Sequence, residues 1–169
     1  YLSNKLNSSN NILGKSMNVY RNFNRDPYFS LEKFAELFYE TQIGSGIGQP
    51  YVMIPLFTVD EALINRAEAF AASGQTSEAN ADLNTFLSTR VPNYNNADII
   101  TEQRIINYYP QLSLQQGIIE TILYYKQLEF TSEGLRWFDI NRHQIDIQHI
   151  HLDQNQTQTF QNLPATDPR

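Results

Sequence analysis

Residues 59–90 read VDEALINRAEAFAASGQTSEANADLNTFLSTR, and this stretch decides the fold. Leu63, Ala67 and Phe70 recur at helical spacing, Gly74 interrupts the series, and Ala79, Leu83 and Phe86 resume it. A helical period on both sides of a glycine predicts two antiparallel helices joined by a tight turn. Ala67 and Ala79 are small enough to let the helices approach closely, with Leu63, Phe70, Leu83 and Phe86 supplying bulk around that contact. Thr76 or Ser77 offers a hydroxyl to cap the second helix, and Pro92, which cannot continue a helix, closes it.

The pair has the proportions of one tetratricopeptide-like unit, although no second copy follows at a period of about 34 residues. One such unit cannot bury its outer faces, so its neighbours come from elsewhere in the chain or from chain outside it. Downstream, residues 93–110 are polar and punctuated, after which Leu114, Ile118, Ile119, Ile122, Leu123 and Tyr125 predict the longest helix, running towards Leu128. It leads into Glu133-Gly134-Leu135-Arg136-Trp137-Phe138-Asp139. Beyond His143 the chain becomes rich in Gln, Asn and Thr, and Ile145, Ile147 and His149 alternate with Asp146 and Gln148, which fits a short strand or an extended loop. Upstream, turn formers such as Asn7-Ser8-Ser9-Asn10-Asn11 and Asn22-Phe23-Asn24-Arg25-Asp26-Pro27 make the first 30 residues read as loop. Leu31, Phe34, Ala35, Phe38 and Tyr39 fit a helical period, but they run into Gly44-Ser45-Gly46-Ile47-Gly48 and the β-favouring Tyr51-Val52-Met53-Ile54. A hairpin through the glycines therefore competes with a helix there. The expected organisation is a mainly α single domain over 1–169: a loop-rich or hairpin region over 1–58, the helix pair over 59–92, the long helix and the EGLRWFD segment over 111–143, and a polar extended tail over 144–169.

With 169 residues, 41% of them hydrophobic and 12% aromatic, the chain is long and apolar enough to bury a core. A net charge of -6 supplies no general attraction to phosphate backbones, so nucleic acid is not an expected partner. No run approaches the roughly 20 apolar residues that span a bilayer. The absence of cysteine excludes disulfides, thiolate metal sites and cysteine nucleophiles.

Several groups invite a chemical reading. Glu133, Arg136 and Asp139 offer paired carboxylates around a cation, as acid–base catalysis requires. On a helix, however, Glu133, Arg136, Asp139 and Arg142 stand three apart and form a ladder of ion pairs without any substrate. No activated nucleophile accompanies them, and catalysis is not expected. His149 and His151, followed by Asp153, share one face of a strand, but no further ligand stands at a persuasive spacing and no metal or other cofactor is expected. The glycines at 44, 46 and 48 lack the strand-to-helix context of a phosphate cradle and read as a turn. In the loop-like start, Tyr20, Phe23, Arg25 and Tyr28 mix rings with a guanidinium, a combination that suits stacking and hydrogen bonding to sugars; aromatic loop packing is the plain alternative.

Two stretches resemble the SusD/RagB family. PLFTVDEALINRAEAFAASGQTSEANADLNTFLSTR is similar to that family's helix pair, through Asp60, Glu61, Arg66-Ala67-Glu68-Ala69, Gly74, Leu83-Asn84 and Arg90. LEFTSEGLRWFDINRH resembles its EG.RW.DL.R signature, through Glu129, Glu133, Gly134, Arg136, Trp137, Asp139 and Arg142; Tyr125, Ile140 and His143 depart from the usual choices. The resemblance implies a SusD-like fold, favours an extended hairpin over residues 31–57, and makes the chain the C-terminal portion of a longer precursor. Glu61, Arg66, Glu68, Glu133, Gly134, Arg136, Trp137, Asp139 and Arg142 are then structural signature positions, with Trp137 expected to pack in a core or helix junction. It further implies a surface-exposed lipoprotein of the outer membrane, anchored through a lipid outside this chain, that captures oligosaccharides or other nutrients without turnover for a SusC-like TonB-dependent transporter. The other function compatible with the helix pair is a tetratricopeptide-like module that binds a protein or peptide.

Overall fold

The computed structural model describes residues 8–17, 21–25, 28–33, 36–152 and 158–163. The first helix, α1 (Val59–Ala72), starts where Thr58 adopts extended backbone and its Oγ1 accepts the Glu61 N–H at 3.1 Å. Asp60 and Glu61 place negative charge in the first turn, where the helix dipole favours it. The helix ends on Gly74, whose φ of 81° lies in the left-handed region that glycine enters without a Cβ clash. The Gly74 N–H donates to the Ala71 carbonyl at 3.0 Å and the Gln75 N–H to the Phe70 carbonyl at 2.9 Å, the paired bonds of a Schellman turn. Helix α2 (Thr76–Arg90) follows after the three-residue turn Ser73-Gly74-Gln75. Neither Thr76 nor Ser77 caps it, because the Gln75 carbonyl already accepts the Ala79 N–H, so both residues lie inside the first turn.

Across the pair, Ile64, Ala67 and Ala71 of α1 and Ala79, Leu83, Phe86 and Leu87 of α2 are buried. The α1 stripe is thus offset by one residue from the expected one: Leu63 and Phe70 are only half-buried. Phe70 lies less deeply, with the Arg66 guanidinium 6.0 Å from its ring centroid. Two ion pairs lock the antiparallel register. Arg66 grips Asp82 with a fork, Nε to Oδ2 at 2.7 Å and Nη2 to Oδ1 at 2.8 Å, and Arg90 at the end of α2 pairs with Asp60 at the start of α1. The hydrogen bond and charge of Asp82 raise the Arg66 pKa above its ordinary value.

After α2, Asn84 binds the backbone of Ile100 at both polar atoms, accepting its N–H at 2.8 Å and donating to its carbonyl at 2.9 Å. Tyr94 donates its hydroxyl to the same Asn84 side chain, and burial raises the phenol's pKa, with the Asp98 charge adding to it. A capping box between Asn95 and Asp98 closes a short 3-10 turn, and Thr101 caps α3 (Glu102–Tyr108). Helix α4 (Leu114–Glu129) carries Gly117 where a Cβ would stand 2.6 Å from Ile105 Cγ2, so the glycine is what lets α3 approach. Residues 11–17 are not a free loop, since Ile12, Leu13 and Met17 are buried and Arg104 donates to the carbonyls of Ile12 (2.9 Å) and Leu13 (3.0 Å).

Three antiparallel hairpins complete the described elements. The strands are β1 (Arg21–Arg25) with β2 (Tyr28–Glu32), β3 (Glu36–Glu40) with β4 (Gly48–Val52), and β5 (Ile147–Leu152) with β6 (Gln158–Leu163). The loop expected over the first 30 residues is therefore corrected over Arg21–Arg25 and from Tyr28 on, where the chain pairs as strands. For residues 36–52 the hairpin prevails over the helical period. Gly44 and Gly46 both take positive φ, and the Thr41 N–H continues the ladder to the Ile47 carbonyl at 3.0 Å. The chain forms two compact units, Tyr1–Ile122 and Leu123–Arg169, with the division inside α4. In the second, Leu123, Tyr125, Leu128 and Phe130 are buried and precede α5 (Arg136–His143). The fold is mainly helical with small two-stranded sheets.

Candidate ligand-binding surface

The EGLRWFD segment is the place where the sequence concentrates charge. Asp139 is buried and its Oδ1 accepts from Lys126 Nζ at 2.8 Å and Arg142 Nη2 at 2.9 Å, while Arg136 Nη1 lies 3.7 Å from Oδ2. Lys126 is itself buried, so this is an interior ion pair extended by two arginines. Two rungs of the ladder expected from spacing, Arg136–Asp139 and Asp139–Arg142, are present, and two features go beyond it. Glu133 stands in the turn before α5, where Ser132 and Gly134 take positive φ, and the closest cation is Lys126, thirteen residues earlier on α4. Asp139 is enclosed and its Oδ1 holds two structural cations, and the cluster fixes α5 against the end of α4.

Trp137 does not pack in a core: it is 57% exposed, and neighbouring Phe138 is exposed as well. Helix geometry gives the reason. Successive residues turn by about 100°, so once Asp139 points to Lys126, Trp137 two residues earlier falls on the far side. Of the other signature positions, Glu68 is buried on α1, Glu61 donates its N–H to the Thr58 cap, and Arg66 makes the fork to Asp82.

Tyr20 lies outside the described residues. Phe23 and Arg25 are on β1 and Tyr28 on β2, and the register sets Arg25 opposite Tyr28 and Phe23 opposite Ser30. Since opposed residues and alternate residues of one strand share a face, Phe23, Arg25 and Tyr28 occupy one face of that hairpin. His149 and His151 are alternate residues of β5, opposite Gln161 and Thr159, and Asp153 lies outside the described residues. Among the described residues no group of three or more His, Cys, Asp or Glu is placed to hold a metal ion.

Sequence reasoning missed a second aromatic face. In the β3–β4 pairing Tyr39 stands opposite Gln49 and Leu37 opposite Tyr51, so these four share one side. Tyr39 is 64% exposed and Tyr51 47%, and Gln49 is exposed beside them. The turn below is closely tied. The Glu40 carboxylate accepts the Gly44 N–H at 2.7 Å, Ser45 Oγ accepts the Ile47 N–H at 3.1 Å, and Thr41 Oγ1 donates to the Ile47 carbonyl at 3.0 Å. Gly48 is obligatory, since a Cβ there would meet the Tyr39 carbonyl oxygen at 2.0 Å. The period-two signal Leu37, Tyr39 and Gln49, Tyr51 was present in the sequence but was masked by the helical spacing of Phe34, Phe38 and Tyr39.

Helix hairpin, long helix and clamped carboxylate together define a mainly helical, tetratricopeptide-like protein with paired-strand appendages. The chain belongs to the SusD family, whose model matches residues 3–167. Members of that family are generally non-catalytic proteins associated with nutrient or glycan binding, typically as outer-membrane lipoproteins that work with a SusC-like transporter. No curated protein and no solved structure matches the chain. Among the described residues no helix is long and apolar enough to cross a membrane.

Proposed function

We propose that this chain takes part in capturing a nutrient, an oligosaccharide in the first instance, at the outer-membrane surface and in passing it unaltered to a SusC-like TonB-dependent transporter. The match of the SusD family model over residues 3–167 carries the reading. The commitment of Asp139 to Lys126 and Arg142 supports it, because the carboxylate most suggestive of catalysis is occupied by structural partners. Surface attachment would come from a lipid anchor outside this chain. Tyr20, Phe23, Arg25 and Tyr28 are proposed ligand contacts, and the register of β1 and β2 supports the last three by giving them one face.

The test is a calorimetric and glycan-array screen of the protein expressed from its complete gene, with affinity capture of membrane partners alongside. Saturable binding of an unmodified oligosaccharide and recovery of a TonB-dependent transporter are expected. Product formation from the bound glycan, or recovery of a soluble protein partner with no glycan bound, would reject this reading, the latter in favour of a peptide-binding helical module.

A further inference from the structure

The geometry points to the face of the β3–β4 hairpin that carries Tyr39, Gln49 and Tyr51 as a platform for uncharged sugar rings. The inference rests on the oligosaccharide-binding reading and assigns part of the contact to residues that no resemblance singled out. Three observations carry it. Tyr39 and Tyr51 are diagonal neighbours across the pair, Tyr39 facing Gln49 and Tyr51 two residues further along β4, and both rings are largely exposed. Diagonal neighbours lie about 7–8 Å apart, within reach of aromatic side chains on a single ligand.

The polar groups on this face are also free to act. Among the described residues none hydrogen-bonds the Tyr39 or Tyr51 hydroxyl or the Gln49 amide, although other polar groups nearby, such as Glu40, Thr41 and Ser45, are engaged within the turn. A hexose presents an apolar ring face bordered by hydroxyls, and a phenol ring with a free hydroxyl beside a free carboxamide matches both parts.

The third observation is charge and rigidity. Glu36 and Glu40 fall at register positions of the opposite face, so the Tyr39 side carries no ionic position to pair with a uronate or sulfate, and the chain's net charge of -6 disfavours an anionic glycan. Gly48 packs under the Tyr39 carbonyl and the knotted turn fixes the strand pair, which lowers the ordering cost of binding. Exposed aromatic rings on a fixed, neutral face suit the apolar ring face of a neutral oligosaccharide, whereas a peptide would be drawn to the strand edges and not to this face.

The experiment titrates the protein expressed from its complete gene with neutral hexose hexamers of α1,4 and β1,4 linkage, and with a galacturonate hexamer. The variants are Tyr39→Ala, Tyr51→Ala, Gln49→Ala and the double variant Tyr39→Phe with Tyr51→Phe. A neutral hexamer should bind at least tenfold more tightly than the charged one. Each tyrosine-to-alanine change should raise Kd about tenfold, as loss of about 1.4 kcal/mol corresponds to. Gln49→Ala and the phenylalanine pair, which keep the hairpin's apolar contacts, should weaken binding severalfold. Wild-type binding of a neutral hexamer with all variants within twofold would overturn the platform while leaving oligosaccharide capture intact. Preference for the charged hexamer would overturn its neutral specificity, and failure of the wild-type protein to bind any glycan would remove both readings together.

Discussion

Asp139 shows how one buried carboxylate governs its surroundings. Its side chain and that of Lys126 are almost wholly enclosed, at 3% and 5% exposure, and Arg142 adds a second short contact. Removing one charge of a buried pair costs about 3–5 kcal/mol, whereas removing both is far milder. Asp139→Asn should therefore lower the urea midpoint steeply, and Lys126→Met in the same chain should recover much of the loss; an additive double variant would refute the coupling. Trp137 is the opposite case. Its exposure limits Trp137→Ala to about 0.5 kcal/mol, as for other surface changes, in place of the 3–5 kcal/mol of a core truncation; a large fall in melting midpoint would show that the ring is covered in solution. Asp98 supplies a pH signature. Its hydrogen bond to Lys15 at 2.7 Å is the main cause that holds its carboxyl below the ordinary value of 3.8, helped by the Asn95 N–H and opposed by desolvation. The stabilisation is thus present above the unfolded value and disappears as pH falls through the folded one. Asp98→Asn should flatten the acid limb of stability below about pH 4 without adding any slope near neutrality, as melting scans from pH 2 to 7 would register.

At the scale of elements, Gly117 sets two effects against each other. Alanine in a helix interior is favoured over glycine by about 1 kcal/mol, but a Cβ at this point meets the buried Ile105 side chain at 2.6 Å, and overpacking of a filled contact costs about 1–3 kcal/mol. The clash should win, so Gly117→Ala destabilises; in an Ile105→Ala background the same change should become stabilising, and denaturant midpoints of the four proteins decide it. Such contacts explain what the sequence could show. The α1–α2 hairpin was legible because period, glycine turn and Pro92 all agree within one stretch. Its contact stripe was legible only to within one residue, since spacing does not reveal that Ile64 rather than Leu63 is the buried one. Residues 36–52 satisfied two periods at once, and the glycines decided between them. The Lys126–Asp139 pair was invisible because it joins a helix to the residues beyond a turn, and no local spacing encodes that approach. The exposed tyrosines of β3 and β4 became a surface only when the register paired them.

Across the molecule, long-range order in the first unit depends on a cation that no motif marked. Arg104 donates to the carbonyls of Ile12, Leu13 and Ala97, joining backbone from two places more than eighty residues apart in the chain. Lys15 adds contacts to Asp98 and to the Asn93 carbonyl, so residues 11–17 are held against the turn that follows α2 from two sides. Burial of Ile12, Leu13 and Met17 favours docking of this segment but is non-directional, and the guanidinium hydrogen bonds are what specify its geometry. Hydrogen bonds to charged groups contribute about 1.5–3 kcal/mol each when well formed, and a planar fork that serves three acceptors has no equivalent in another side chain. Arg104→Gln should therefore release residues 8–17 locally while α1 and α2, locked by Arg66–Asp82 and Arg90–Asp60, remain folded. A lysine-specific protease should then cleave after Lys15 at least tenfold faster than in the wild-type chain, with little change in helical circular dichroism. Equal cleavage rates would mean that burial of Ile12, Leu13 and Met17 suffices to hold the segment, whereas a parallel loss of helix would mean that its docking is required for the hairpin itself.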